Sequence, residues 1–254
     1  MYQSKLLIIL FFVAFSYSGF AQNQFKIAVV GDTPYKYSDW KTLKSKFQQL
    51  EDSGYQLLVH VGDIKRGVLP CFKRRYKRMS KLLSYSTVPY LIIPGDNEYN
   101  DCYCRGPKRA LKLWRKHTLN KAPDSIFNIS RSEHLPENFS FIKDSTLFIG
   151  IHNVGGKVHD SLEWKERTLE NMRWIDEQTN KDSFYSVVIF SHASPKKDFG
   201  LYQVLQQVSI KLSNPIYFIQ GDIHSYSYTE NWNKTKMTRI VVDNGNKLPM
   251  FRTL

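Results

Sequence analysis

Acidic and imidazole side chains recur in this sequence at the ends of short apolar runs. Asp32 closes FKIAVVGD, Asp63 closes QLLVHVGD and Asp96 closes VPYLIIPGD; PIYFIQGDIH delivers both Asp222 and His224, and YSVVIFSH ends at His192. Carboxylate oxygens and imidazole nitrogens are what an oxygen- and nitrogen-ligated metal centre requires. An open α/β sheet gathers such groups at the carboxyl ends of its strands, however far apart they lie in sequence. One Gly-Asp after a strand reads as a turn, because Gly reaches positive φ and Asp hydrogen-bonds its own backbone. Four such pairs, each after an aliphatic or β-branched run, predict a metal site instead. Lys65 and Arg66 follow Asp63 closely enough to offset negative charge brought to such a site.

Strands must carry these groups, and FKIAVV, the run before Gly62, VPYLII, YSVVIFS and PIYFIQ have the length and branching of buried strands. Trp40 to Leu50 has helical spacing. Phe72 to Ser84 places Phe72, Tyr76, Met79, Leu82 and Leu83 on one side of a helix, and its remaining CFKRRYKRMSK charges read as a solvated face. Leu162 to Gln178 carries a stripe of Trp164, Leu169, Met172, Trp174 and Ile175, and Leu201 to Leu212 is a further helix. Strand, helix, strand, helix, strand is the parallel crossover pattern. NFSFIKDSTLFIGIHN alternates around Asp144-Ser145, which predicts an antiparallel hairpin ending at His152 and Asn153. The strands at Tyr226 to Thr229 and Met237 to Val242 also read as antiparallel. From Tyr99 to Arg131 the periodicity loosens, and Arg105, Lys108, Arg109, Lys112 and Arg115 make a basic insertion, read as a lid or wall. The expectation is a mixed α/β domain: two sheets face to face, helices outside.

With 254 residues and 42% hydrophobic content the chain can bury a full core as one domain. Residues 1–21 have one positive charge at Lys5, an apolar core from Leu6 to Phe15 and small residues before a cut after Ala21, the pattern of a secretory signal peptide. The mature domain is then 22–254, exported to the periplasm or outside the cell, with no transmembrane segment left. Losing Lys5 takes the formal net charge from +13 to +12. That charge favours anionic partners: phosphorylated small molecules, acidic polymers or an anionic envelope surface. No helix-turn-helix, RNA-binding or zinc-finger pattern accompanies it. The cysteines are Cys71, Cys102 and Cys104, in a chain bound for an oxidising compartment. Cys71 and Cys102 lie in loops leaving the same sheet edge, which predicts a bridge between them, with Cys71 to Cys104 as the alternative.

In order, GDTPY (31–35), GDIKRG (62–67), GDNE (95–98), SHASP (191–195) and GDIH (221–224) resemble the motif series of calcineurin-like metallophosphoesterases across nearly all of the mature chain. The resemblance implies a four-layer α/β/β/α sandwich with two packed mixed sheets. It also implies metal-dependent hydrolysis of phosphomonoesters or phosphodiesters, through a hydroxide shared by two divalent ions. By match, Asp32 and His224 bind one ion, Asp96, His192 and Asp222 the other, and Asp63 bridges both. Four positions depart from the family pattern. Pro34 stands where a His ligand is usual, Asp96 replaces an Asn ligand, Asn97 a His that commonly helps protonate the leaving group, and Asp222 a His. Two lost imidazoles and two added carboxylates lean the site towards Mn²⁺, Mg²⁺ or Ca²⁺, with Fe or Zn also admitted. Asn97 could still bond a phosphate oxygen, His152 is a candidate proton donor, and Glu98 would orient a ligand or Lys65. His60 would face the core. The departures leave an alternative: a phospho-ligand-binding protein with little or no turnover.

Overall fold

The computed structural model describes residues 25–102, 106–119, 126–181, 184–196, 199–243 and 250–251. The expected leader, Cys104 and Arg105 lie outside these residues. β1 (Ile27–Val30), α1 (Tyr37–Phe47), β2 (Leu57–His60), α2 (Lys73–Leu83) and β3 (Tyr90–Ile92) form two parallel crossovers. β11 (Met250–Phe251) joins β1 antiparallel, giving the strand order β11-β1-β2-β3. The second sheet runs β4 (Ser130–Arg131), β5 (Phe139–Lys143), β6 (Thr146–Gly150), β7 (Ser186–Ser191), β8 (Ile216–Gln220), β10 (Met237–Val241), β9 (Ser227–Thr229). β6, β7, β8 and β10 are parallel, while β5 pairs antiparallel with β6 and β9 with β10. β10 is thus antiparallel only towards β9.

Side-chain alternation makes the layers. Ile27, Val29, Leu57, Val59 and Leu91 point from the first sheet at Phe139, Phe141, Phe148, Phe190, Ile219 and Ile240 of the second. Their neighbours Ala28, Val30, Leu58 and Ile92 point the other way, against Leu43, Phe47, Tyr76 and Met79 of α1 and α2. On the far face Leu147, Ile149, Val187, Ile189 and Phe218 meet α4 (Ser161–Thr179) and α5 (Leu201–Lys211) through Trp174, Ile175, Leu205 and Val208. Strands buried on both faces explain the unbroken apolar runs of the sequence. The result is the four-layer α/β/β/α arrangement.

The basic stretch read as a lid or wall contains α3 (Pro107–His117), with Pro107 in its first turn and Ala110 and Trp114 buried. It packs beside α2 on the outer face of the first sheet. Five cations and one histidine in eleven residues hid its two-residue apolar stripe. Cys71 and Cys102 are bonded, with Cα atoms 5.7 Å apart, and both sulfurs lie 3.7 Å from the carbonyl oxygen of Asn97. The bridge therefore seats the loops after β2 and β3 against each other.

Phe139 and Gly150 face each other across the β5–β6 pair, and the Phe139 ring fills the place a Cβ on residue 150 would take. Gly150→Ala is expected to destabilise the fold by about 2 kcal/mol through overpacking. Phe139→Leu in the same chain should return part of that loss, as read by urea unfolding of both single variants and the double variant.

Candidate metal centre

β1, β2, β3, β7 and β8 all end at one edge, and their next residues converge there. Asp32, Asp63 and His224 place one ligand atom each within 4.8 Å of one another, and so do Asp63, Asp96 and His192. Asp63 belongs to both groups. His224 Nε2 lies 3.3 Å from Asp32 Oδ1. His192 Nε2 lies 3.3 Å from Asp63 Oδ1, 3.6 Å from Asp96 Oδ1 and 4.0 Å from Asp222 Oδ1. Asp222 stands at the rim on the Asp96 side, its side chain about a third exposed, while Asp32, Asp63, Asp96 and His192 are buried.

The backbone shapes the cluster. Asp32, Asp63, Asp222 and His224 have φ of 52°, 64°, 70° and 62°, a left-handed conformation costing on the order of 1 kcal/mol each for a residue with a Cβ. Aspartate tolerates it best, because its short carboxylate can bond locally. Asp32 accepts the Asp222 amide at both oxygens (3.1 and 3.0 Å), and Asp63 Oδ1 accepts the Asn97 amide (3.0 Å). Buried Glu98 gathers three amides, from Gly95 (2.6 Å), Asp63 (3.1 Å) and Ile64 (3.1 Å). It orients Asp63 through the main chain and not by touching its carboxylate. Gly95 passes so close to Asp63 that a Cβ there would overlap the Asp63 backbone nitrogen and Oδ1.

The donor set fits a cation. His192 Nδ1 pairs with the Val61 carbonyl (2.8 Å), which can only accept, so Nδ1 carries a proton and Nε2 is the nitrogen that faces the carboxylates and is left to bind a metal ion. Nε2 is buried and without a hydrogen-bond partner. Burial, and next the charges of Glu98, Asp96 and Asp32, push the Asp63 carboxyl well above the usual range, with His192 opposing. Burial likewise raises Asp222. Burial would lower the His192 imidazole, but Asp63 and then Asp96 hold it well above its ordinary pKa. The spot attracts positive charge, and a second proton on Nε2 would compete with a metal ion for it.

The other expected residues are distributed differently. Asn97 is in the cluster: its amide bonds Asp63 Oδ2 and the Tyr35 hydroxyl (3.0 Å). His152 is not. It is fully buried, with Nδ1 on Glu137 Oε1 (2.6 Å) and its ring against Tyr99, and Glu137 is clamped by Arg115 at 2.8 and 3.0 Å. The chain beyond β6 directs this imidazole to Glu137, and it is not among the groups gathered with Asp32, Asp63 and Asp96. Lys65 is buried with Nζ on the Arg66 carbonyl (3.2 Å), and Arg66 is exposed. His60 lies on the helix side of β2, pairing with the Thr33 carbonyl (2.9 Å) and the Gly62 amide (3.2 Å).

Tyr35 is the residue that sequence reasoning missed. Its hydroxyl donates to Asp63 Oδ2 (2.6 Å) and lies 3.4 Å from His224 Nε2. Burial first, then the charges of Asp63 and Asp32, raises its pKa strongly, so the phenol stays a neutral donor. The available signal was an aromatic residue three positions after Asp32 in a polar turn.

A family model described as calcineurin-like phosphoesterase matches residues 25–237. No curated protein matches significantly in sequence. Among solved structures, a dimetal phosphatase from Danio rerio shares 12% identity at a TM-score of 0.53, covering 89% of each chain. GAP50, the anchor in the inner membrane complex of Plasmodium, shares 12% at 0.55, covering 91% of this chain and 76% of that one. A 5'-nucleotidase from Candida albicans shares 15% at 0.54, covering 87% and 46%. At these identities the structures share the fold.

His60 yields a pH dependence. Burial lowers its pKa from 6.5 to about 4. Between those values the unfolded chain takes up a proton that the native imidazole refuses, so stability is lost as pH falls from 6.5 towards 4. The expected loss from this group is about 3 kcal/mol by pH 4. It should appear as a difference in the pH dependence of unfolding free energy between wild type and His60→Gln.

Proposed function

Since the chain belongs to the calcineurin-like phosphoesterase family and is thereby a metal-dependent phosphoric ester hydrolase, we propose that Asp32, Asp63, Asp96, His192, Asp222 and His224 hold two divalent ions and that this pocket cleaves phosphomonoesters or phosphodiesters. The observation that carries the reading is the shared carboxylate. Asp63 belongs to two ligand groups at once, and each group contains an imidazole. Paired ions supply Lewis acidity towards phosphoryl oxygens and lower the pKa of a water.

The chain's own residues do the rest. The Val61 carbonyl fixes the His192 tautomer, and Glu98 holds the backbone of the Asp63 and Asp96 loops. Asn97 and Tyr35 both donate to Asp63 Oδ2 and hold that carboxylate in place. The carboxylate-rich donor set favours Mn²⁺, Mg²⁺ or Ca²⁺ ahead of Fe or Zn. The leader pattern supports action in the periplasm or outside the cell.

One observation favours the second reading, a phospho-ligand-binding protein with little turnover. His152 is held by Glu137, and Asn97, an amide, stands where a proton-donating imidazole is usual in the family. The fold is also that of a protein described as an anchor.

Protein purified without chelators should carry two metal atoms per chain and hydrolyse aryl phosphates. Asp63→Asn should lose metal and reduce turnover to background, whereas full activity in both Asp63→Asn and His192→Ala would remove the assignment. Bound phosphate without turnover on aryl mono- or diesters would establish the second reading. Glu98→Gln should weaken metal binding by about 10–100-fold while the fold survives.

A further inference from the structure

We propose that the mouth of the pocket docks on an anionic membrane surface, with Tyr37 and Val68 entering the interface and the first turns of α2 and α3 engaging acidic headgroups. No helix among the described residues is long and apolar enough to cross a membrane. The contact is a property of the surface and holds whether or not the pocket turns over.

The apolar part comes from separate segments that adjoin the site's motifs. Val68 is 88% exposed and Tyr37 84%. Val68 follows Gly67, whose backbone packs so closely on the Asn97 side chain that a Cβ would lie 2.5 Å from Oδ1. Tyr37 follows Tyr35, on Asp63, by two residues. Ile223, 47% exposed, stands between Asp222 and His224. A single exposed apolar residue needs no explanation, but three that flank residues of one cluster do. A small soluble substrate is held by apolar groups lining a cleft, not by side chains pointing into water. Tyrosine in particular suits a boundary that is apolar on one side and wet on the other.

The charged part adjoins it. Lys73 and Arg74 open α2, and Lys108 and Arg109 lie in the first turn of α3; neither turn contains an acid. All four are exposed, and among the described residues none forms an ion pair with a carboxylate. A helix N-terminus favours acidic residues, so cations there work against the backbone dipole. The Cys71–Cys102 bond ties together the loops that lead from the Asp63 and Asp96 motifs towards these turns. A nucleic acid is the poorer fit, because a single strand stacks successive bases on a row of open aromatic faces, and Tyr37 is one ring. In this layer Arg78 covers Trp40 at 4.1 Å and Lys44 covers Tyr85 at 4.4 Å.

The test is co-sedimentation of the metal-loaded wild type and its variants with vesicles of phosphatidylcholine alone or mixed with phosphatidylglycerol. Wild type should partition onto the mixed vesicles only and be released by salt. The double variant Lys73→Glu/Lys108→Glu should bind about tenfold or more weakly, and Val68→Asp more weakly still at low salt than Val68→Ala, with aryl phosphate hydrolysis unchanged in every variant. Equal partition onto neutral vesicles, no partition, or indifference to these substitutions would overturn the proposal, as would an oligonucleotide competing off the vesicles at equal charge. Loss of aryl phosphatase activity in wild type would count against the proposed chemistry and leave the vesicle result to stand alone.

Discussion

Three buried carboxylates, Asp32, Asp63 and Asp96, are confined at one sheet edge against their own repulsion. Two unit charges about 4 Å apart at an effective dielectric near 20 repel by about 4 kcal/mol, a large fraction of what a domain has in hand. The chain meets this repulsion with backbone amides and imidazoles. The Asp222 amide bonds Asp32, the Asn97 amide bonds Asp63, and His192 faces Asp63 and Asp96 together. None of these supplies a permanent positive charge, and a divalent ion would.

That confinement depends on the sheets behind it. The aromatic layer of Phe141, Phe148 and Phe190 between the sheets, with Phe141 and Phe148 centroids 4.8 Å apart, fixes the distance between the β1–β3 ends and the β7–β8 ends. His192 bridges that gap directly, since it comes from β7 in one sheet and its Nδ1 pairs with Val61, just after β2 in the other. Small errors in sheet packing would therefore register at the imidazole. Buried Glu98 and His60 do similar work within the first sheet, converting side-chain acceptors and donors into fixed loop geometry.

The convergence of Asp32, Asp63, Asp96, His192 and His224 was readable because each follows a buried parallel strand, and strand ends share an edge. The layers were readable for the same reason, through runs that are apolar on both faces. What was hidden depended on orientation. His152 follows a strand in the same way, yet the turn after β6 sends it to Glu137 instead, and no periodicity specifies that turn. Lys65 looked available from its position, but its ammonium folds back on the Arg66 carbonyl. Tyr35 reaches the centre only because the polar turn after β1 curls over Asp63. Helix α3 escaped notice because its solvent side is so basic that Ala110 and Trp114 were lost among charges.

The left-handed backbone at Asp32, Asp63, Asp222 and His224 narrows which residues evolution can try there. Beyond glycine, asparagine and aspartate, few side chains accept that conformation. A lineage abandoning its ions would most easily pass through asparagine or glycine at the aspartate positions, relieving repulsion or strain without disturbing the loops. Architecture and chemistry are in this sense separable: the scaffold can outlive the reaction it was built around, and descendants can inherit an intact cleft free for another use.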